Sequence, residues 1–460
     1  MKRNRFLVAA GLAALGFAFA ACGPAGNSAG NAPANAPTNN APATNAPAEN
    51  APKDTPPAAF DVAKERDALV DASWGYLKKM YNGNDKSMDE NKVGIPGGWG
   101  PGSTNIPYTA MVLYGIYGTK VWDANNDMVK DSVKFLVESQ DPATGSWSYA
   151  PLNLMPKAKG VRAVYITAIL LELFTDLNAD GPWKGKLGEA VAKARDYLVQ
   201  SQVGNAAGPA PDYSKEKVGY GGWAYSKEEI DSAVKAKGKP ASNMSTSAFA
   251  VDALHKCGLK EDDPVWEAAL TFFKRNQNAG EVQSEGFEAM YNGKKVKMAV
   301  KGEPGYGGSI YSEETSKAGV TENADGTVTL ASYGTMTYNL LRSYIFCGMK
   351  KDSLPVTLAW GWITRNYTVE HVPGYQSEEK NTQGLYYYYV SMAKTLYVMG
   401  KDTVEEADRG TKHNWREDLV KALKSRQKAE GNWVNTNKEW QEDSPVLCTS
   451  YALSALRHTR

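Results

Sequence analysis

The sequence predicts an all-α molecule, an α/α toroid of six helix hairpins in two concentric layers, behind a disordered N-terminal stalk. Three observations predict it. A helix end followed by a glycine-tryptophan loop recurs along the chain. Amphipathic helices alternate with helices that are apolar nearly all round. The residues before position 60 have a composition unlike the rest. The boundaries that follow are 1–21, 22–59 and 60–460.

Met1-Lys-Arg-Asn-Arg5 is basic, and small and apolar residues run unbroken from Phe6 to Ala21. That is the layout of a secretory signal, too short and wrongly flanked for a lasting membrane span. Ala18-Phe-Ala-Ala-Cys22 places small residues just before a cysteine and resembles a bacterial lipobox. The resemblance implies that residues 1–21 are a lipoprotein signal peptide and that Cys22 becomes an acylated N-terminus, with the lipid bilayer as its partner. Two or more acyl chains hold firmly where one is marginal. Gly23 stands where some bacteria place an inner-membrane-retaining Asp, so the resemblance points to an extracytoplasmic, outer-membrane address.

From Cys22 to residue 59 the chain is mostly Ala, Asn, Pro, Thr and Gly, repeating Asn-Ala-Pro, with almost nothing large to bury. Such a segment cannot offset its chain entropy and is expected to stay disordered. Its prolines favour an extended spacer.

Residues 60–460 carry the repeat. Its clearest copies are Phe135-Leu-Val-Glu-Ser-Gln140 leading to Gly145-Ser-Trp147, Tyr197-Leu-Val-Gln-Ser-Gln202 leading to Gly221-Gly-Trp223, and Leu423-Lys-Ser-Arg-Gln427 leading to Gly431-Asn-Trp433. Weaker copies run from Trp74 to Gly97-Gly-Trp99, from Phe272 through Gln277 to Gly305-Tyr-Gly-Gly308, and from Trp362 to Gly374-Tyr375. The helix before each loop is amphipathic: Val191, Ala194 and Leu198, or Leu419, Val420 and Leu423, share one face. The helix after it is apolar nearly all round, as in Tyr165-Ile-Thr-Ala-Ile-Leu-Leu-Glu-Leu-Phe174 and Tyr386-Tyr-Tyr-Tyr-Val-Ser-Met-Ala393. Covering helices that alternate with enclosed ones close into a ring, the enclosed set inside.

The Gln to Gly-x-Trp pairing resembles the QW repeat of squalene and oxidosqualene cyclases, and the Gly-Gly-aromatic loop resembles the β subunits of protein prenyltransferases. The resemblance covers residues 60–460. It implies a structural role for Gln140 with Trp147, Gln202 with Trp223, and Gln427 with Trp433, tying one outer helix to the next turn.

The chemistry those families use is harder to find. Class II terpene cyclases take their acid from Asp-x-Asp-Asp, and the nearest string here is Lys260-Glu-Asp-Asp263, followed by Pro264. Asp before Pro reads as a helix cap and first-turn proline. Class I enzymes hold magnesium with Asp-Asp-x-x-Asp, and Asp262-Asp263-Pro-Val-Trp266 lacks the last carboxylate. The prenyltransferase zinc site takes a His at the final inner helix, where this chain reads Val446-Leu-Cys-Thr-Ser-Tyr451. Cys257, Cys347 and Cys448 lie far apart, with no metal-ligand or disulfide framework. No metal and no cofactor are expected. A net charge of +1 without a basic cluster argues against nucleic acid.

What remains is the cavity inside the ring. Candidate ligand-contacting residues at the starts of the apolar helices are Tyr108, Arg162, Tyr165, Thr246, Tyr333, Thr335, Tyr338, Gln383, Tyr386, Tyr387 and Tyr451. Aromatic walls with a few polar groups suit an apolar or glycan ligand, and the loops suit a protein. The expectation is a binding protein without its relatives' chemistry. The alternatives are a terpenoid-cyclase-like enzyme with a displaced acid, or a polysaccharide lyase or hydrolase on a helical toroid.

Overall fold

A computed structural model describes residues 59–82, 97–149, 159–284 and 286–460. The leader, Cys22 and the stalk up to residue 58 lie outside the described residues. Ala59–Arg460 forms one compact unit.

Six helices make an outer layer: α1 (Val62–Met80), α3 (Asp127–Glu138), α5 (Gly188–Gln200), α8 (Pro264–Arg275), α10 (Leu354–Arg365) and α12 (Trp415–Arg426). Six alternate with them: α2 (Ile106–Ile116), α4 (Ala163–Ala179), α7 (Met244–Lys256), α9 (Gly334–Phe346), α11 (Leu385–Met399) and α13 (Pro445–Leu456). The second set packs in sequence, α2 on α4, α4 on α7, α7 on α9, α9 on α11 and α11 on α13, and α13 returns to α2. The inner ring is therefore closed. Among the outer helices, α12 packs against α1. This is an α/α toroid.

Composition separates the layers. In α3 the buried residues Val129, Ser132, Val133 and Leu136 form one stripe, whereas α4 buries nearly its whole length from Ala163 to Leu177. Asn105, Asn243 and Ser444 cap α2, α7 and α13 by accepting backbone N–H bonds. Asp263 caps α8, with Pro264 in its first turn.

Three of the loops between layers, those of Trp147, Trp223 and Trp433, are pinned from three sides, and two others in part. The indole Nε1–H of Trp99, Trp147, Trp223 and Trp433 donates to the carbonyl of Leu77, Leu136, Leu198 and Leu423, near the end of the preceding outer helix. The backbone N–H of the same tryptophans donates to Thr109, Thr167, Ser247 and Thr449 on the following inner helix, at 2.9 to 3.2 Å. Ser309 uses Thr337 in the same way at 3.0 Å, without a tryptophan. The glutamine amide completes the joint. Gln140 donates to Gly145 O and to Ala190 O of α5, and Gln202 to Gly221 O and Val265 O of α8. Gln277 donates to Gly307 O and Pro355 O of α10. Gln427 donates to Gly431 O and to Leu69 O of α1, joining the last outer helix to the first. The loops have no room for a side chain where they meet the next outer helix. Gly221 sits at φ +79°, and a Cβ there would strike the Ala268 carbonyl.

The insertions at about 205–244 and 279–330 are more ordered than loops. The first holds α6 (Lys227–Lys235), capped by Ser226 and anchored through buried Ile230. The second holds the antiparallel pairs β1 (Met290–Tyr291) with β2 (Lys294–Lys295) and β3 (Val320–Glu322) with β4 (Val328–Leu330). Asn292 and Gly293, both at positive φ, make the first of these turns. A small core of its own, Ala289, Val296, Ile310, Val328 and Leu330, supports it. Another pair, β5 (Thr403–Glu405) with β6 (Lys412–Asn414), leads into α12.

Candidate functional site

All inner helices start at the same end of the ring, because each follows an outer helix that runs the other way. Carbonyls from neighbouring loops cap these starts: Tyr225 O receives Val164 N–H at 3.0 Å, Tyr311 O receives Met244 N–H at 2.8 Å, and Pro373 O receives Gly334 N–H at 2.8 Å. Tyr225, Tyr311 and Tyr375 are thereby held over the mouth by successive loops.

Below them lies an aromatic floor. Tyr165 and Phe249 have ring centroids 4.4 Å apart, Phe249 and Tyr387 5.8 Å, and Tyr387 and Tyr451 5.9 Å. Tyr165, Ser245, Phe249 and Tyr387 are half-buried although the helices around them are buried, so they line the mouth of the ring, its vestibule. The polar groups of the floor are bonded to one another. Ser245 Oγ lies 3.0 Å from the Tyr387 hydroxyl, which also accepts from Asn339 Nδ2 at 2.9 Å. Around the rim, the Tyr225 and Tyr311 hydroxyls are 2.8 Å apart, Tyr333 meets Tyr375 edge to face at 5.5 Å, and Tyr108 donates to Gln441 at 3.5 Å. Two cations stand over rim rings: Arg162 at 5.7 Å from Tyr225 and Lys317 at 4.7 Å from Tyr311. Burial holds the phenols of Tyr165, Tyr311, Tyr333 and Tyr387 un-ionised, well above neutral pH.

One turn deeper, the inner helices present charges at a common depth. Glu172 on α4, Asp252 on α7, Arg342 on α9 and Lys394 on α11 meet around Tyr114 of α2. Arg342 Nε donates to both Asp252 oxygens at 2.9 and 3.1 Å, and its Nη atoms reach Thr395 and Asn339. Lys394 Nζ lies 2.8 Å from Glu172 and 2.9 Å from Asp252. Tyr114 donates to Glu172 at 3.1 Å. Burial would raise the Asp252 carboxyl, but Arg342 and Lys394 outweigh it and hold Asp252 ionised. Burial would likewise lower Lys394, and Asp252 and Glu172 reverse this. Two acids and two bases cancel, which is the condition for tolerating charge at such depth. Between Asp252, Arg342 and Lys394 and the floor residues Phe249, Tyr387 and Tyr451 a space of about 10 Å³ remains, room for about one water.

The structure brings Arg162, Tyr165, Tyr333, Tyr387 and Tyr451 together at the vestibule, with Tyr108 on the rim. It packs others elsewhere. Thr246 is buried against its own cap, Asn243, at 3.1 Å. Tyr338 is buried edge-on against Tyr388, and Tyr386 against Tyr389. Thr335 is 4% exposed and Gln383 half-buried in the turn before α11. Phe249, Tyr225, Tyr311 and the four charges were not anticipated from the sequence. The charges carry a signal all the same: Arg342 and Lys394 are the only charged residues of α9 and α11, and Glu172 and Asp252 each interrupt an apolar run.

Two buried acids stay close to neutral pH. Burial raises Glu442 to about 7 although Asn435 and the N–H groups of Tyr386 and Tyr387 bond it. It therefore caps α11. Glu313, also raised to about 7 by burial, accepts from Gly219 N–H at 3.1 Å and ties two insertions together. His413, alone in sequence, lies between Glu406 at 3.0 Å and Asp418 at 3.3 Å, where it fastens β6 to α12. Among the described residues no group of His, Cys, Asp and Glu converges to hold a metal, and no helix is long and apolar enough to cross a membrane.

No protein-family model and no curated protein matches the chain. Solved structures similar to it include the type II terpene cyclase MstE from Scytonema in its apo form, 12% identical, with a TM-score of 0.47 over 86% of this chain and 98% of that one. A protein from Actinoplanes is 13% identical, with a TM-score of 0.46 over 87% and 99%. A family 15 glucoamylase from Hypocrea jecorina is 10% identical, with a TM-score of 0.31 over 87% and 72%.

Proposed function

We propose that this protein is a binding toroid, held outside the cytoplasm through lipid on Cys22, that takes a glycan in the vestibule at the starts of its inner helices. The observation that carries the reading is the vestibule itself. Flat aromatic faces at Tyr165, Phe249 and Tyr387, edged by hydroxyl and amide groups at Ser245, Asn339, Tyr225 and Tyr311, suit a hydroxylated ring. An alkene-protonating enzyme needs a carboxyl that keeps its proton and is free to give it up. Asp252 and Glu172 beneath this floor are paired with Arg342 and Lys394, and Glu442, which keeps its proton, is taken up by Asn435 and the start of α11. Arg162 and Lys317 at the rim favour a sugar that bears an acidic group.

The test is calorimetric titration of the purified full chain with neutral and uronic-acid oligosaccharides, alongside Tyr165→Ala and Phe249→Ala. Binding is expected, weakened by about tenfold or more in either variant through the lost stacking. Polyprene substrates supply the opposing arm, since a cyclised product would replace the binding reading with an enzymatic one. Anchoring is tested separately: Cys22→Ala should move the protein from the membrane fraction to the soluble one.

A further inference from the structure

The opposite end of the ring carries a second concavity, of about 300 Å³, between the start of α1 and the ends of α2 and α13. Its charged lining among the described residues is Arg66, Asp67, Lys120, Arg457 and Arg460. We propose that this cavity binds a phosphate-bearing anion, either free phosphate or the phosphodiester of a lipid headgroup.

Four cations from three helix ends converge here, and two already have carboxylate partners. Arg66 is paired with Asp67 at 3.0 Å, and Lys120 with Asp71 at 2.7 Å. Among the described residues Arg457 and Arg460 have no salt bridge. Arg457 donates one Nη to the Tyr114 carbonyl at 3.0 Å and lies over the Tyr114 ring, and Arg460 donates Nε to the Arg457 carbonyl at 3.1 Å. Both bonds fix a guanidinium while leaving other N–H donors for a ligand. Gly118, at φ +70°, keeps the floor low: a Cβ there would lie 2.9 Å from an Arg460 Nη. Burial first, and then the like charges of Arg457 and Arg66, depress Arg460.

Cations at the end of α13 answer that helix's dipole, but Arg66 does not. It projects from the second turn of α1, near a helix start where negative charge is favoured. The same dipole favours an anion placed beside Arg66. Guanidinium forks match phosphate oxygens in geometry as well as charge.

Calorimetric titration of the purified full chain with orthophosphate, and separately with glycerophosphoglycerol, tests the site. One or both are expected to bind, more weakly as sodium chloride is raised. Uptake of the diester points to a lipid headgroup, and uptake of orthophosphate alone to free phosphate. Arg460→Gln should weaken binding by about tenfold or more at an unchanged thermal midpoint, since it removes charged hydrogen bonds. Lys120→Ala, at an exposed position, gives the same readout should the first variant lose stability. The proposal is overturned if neither compound binds, or if a folded variant binds as the wild type does.

Discussion

At the scale of single residues, burial decides what each ionisable group does. Asp252 and Glu442 are both enclosed, yet they titrate in opposite directions. Asp252 faces two cations and stays charged, whereas Glu442 has only neutral donors and rises from an ordinary 4.5 to about 7. The folded chain therefore keeps a proton on Glu442 at pH values where the unfolded chain has released it. The resulting stabilisation is complete below about pH 4.5 and is lost as the pH rises through about 7, by up to about 1.4 kcal/mol per unit. Glu442→Gln removes this proton while retaining an acceptor for the α11 start. Relative to the wild type, the variant should gain stability between about pH 5 and pH 8, read from urea midpoints. Parallel profiles for the two proteins would show that Glu442 is ionised throughout.

At the scale of elements, the repeat works through a hydroxyl at a fixed place on the inner helix. Thr109, Thr167, Ser247 and Thr449 each accept the backbone N–H of a loop tryptophan that is itself fully buried. Thr167→Val keeps the side chain's shape and strands the Trp147 N–H in the core. It should cost about 1–3 kcal/mol, seen as a lower thermal midpoint, whereas Thr175→Val on the partly exposed stretch of α4 should cost less. The helices were legible in sequence because period and composition report burial directly, as in the apolar run of α4. The hydroxyls were not, since a threonine that lines a pocket and one that holds a loop look alike. Thr109 and Thr246 are neighbours of Tyr108 and Ser245 in the same first turns, and only the direction of each side chain separates them. Tyr338 and Tyr386 turn away from the vestibule for the same reason. Tyr225 and Tyr311 could not be placed at the mouth from sequence, because the carbonyl caps that hold them join segments far apart in the chain.

For the whole molecule, closure of the ring is the property that sequence order cannot display. In an open array of hairpins the terminal units have one neighbour each and fray first. Here α13 packs on α2 and α12 on α1, so no hairpin is terminal. Gln427 sits at that seam, reaching Leu69 O and Ser73 Oγ at 3.2 Å as well as its own loop at Gly431. The loop glycine is equally committed, because a Cβ on Gly431 would strike the Ala72 carbonyl of α1. Gln427→Ala leaves the Leu69 and Gly431 carbonyls without this donor and loosens one joint among otherwise equivalent ones. In the wild type, hydrogen exchange in α1 and α12 should be as slow as in α5 and α8, since a loop glutamine ties each pair. In Gln427→Ala, α1 and α12 should exchange faster by about tenfold, for roughly 1–1.5 kcal/mol lost at the seam, while α5 and α8 keep their protection. Gln202→Ala is the control, expected to loosen α5 and α8 and spare the seam. If both variants accelerate all four helices equally, the ring opens only as one cooperative unit and the seam has no separate stability.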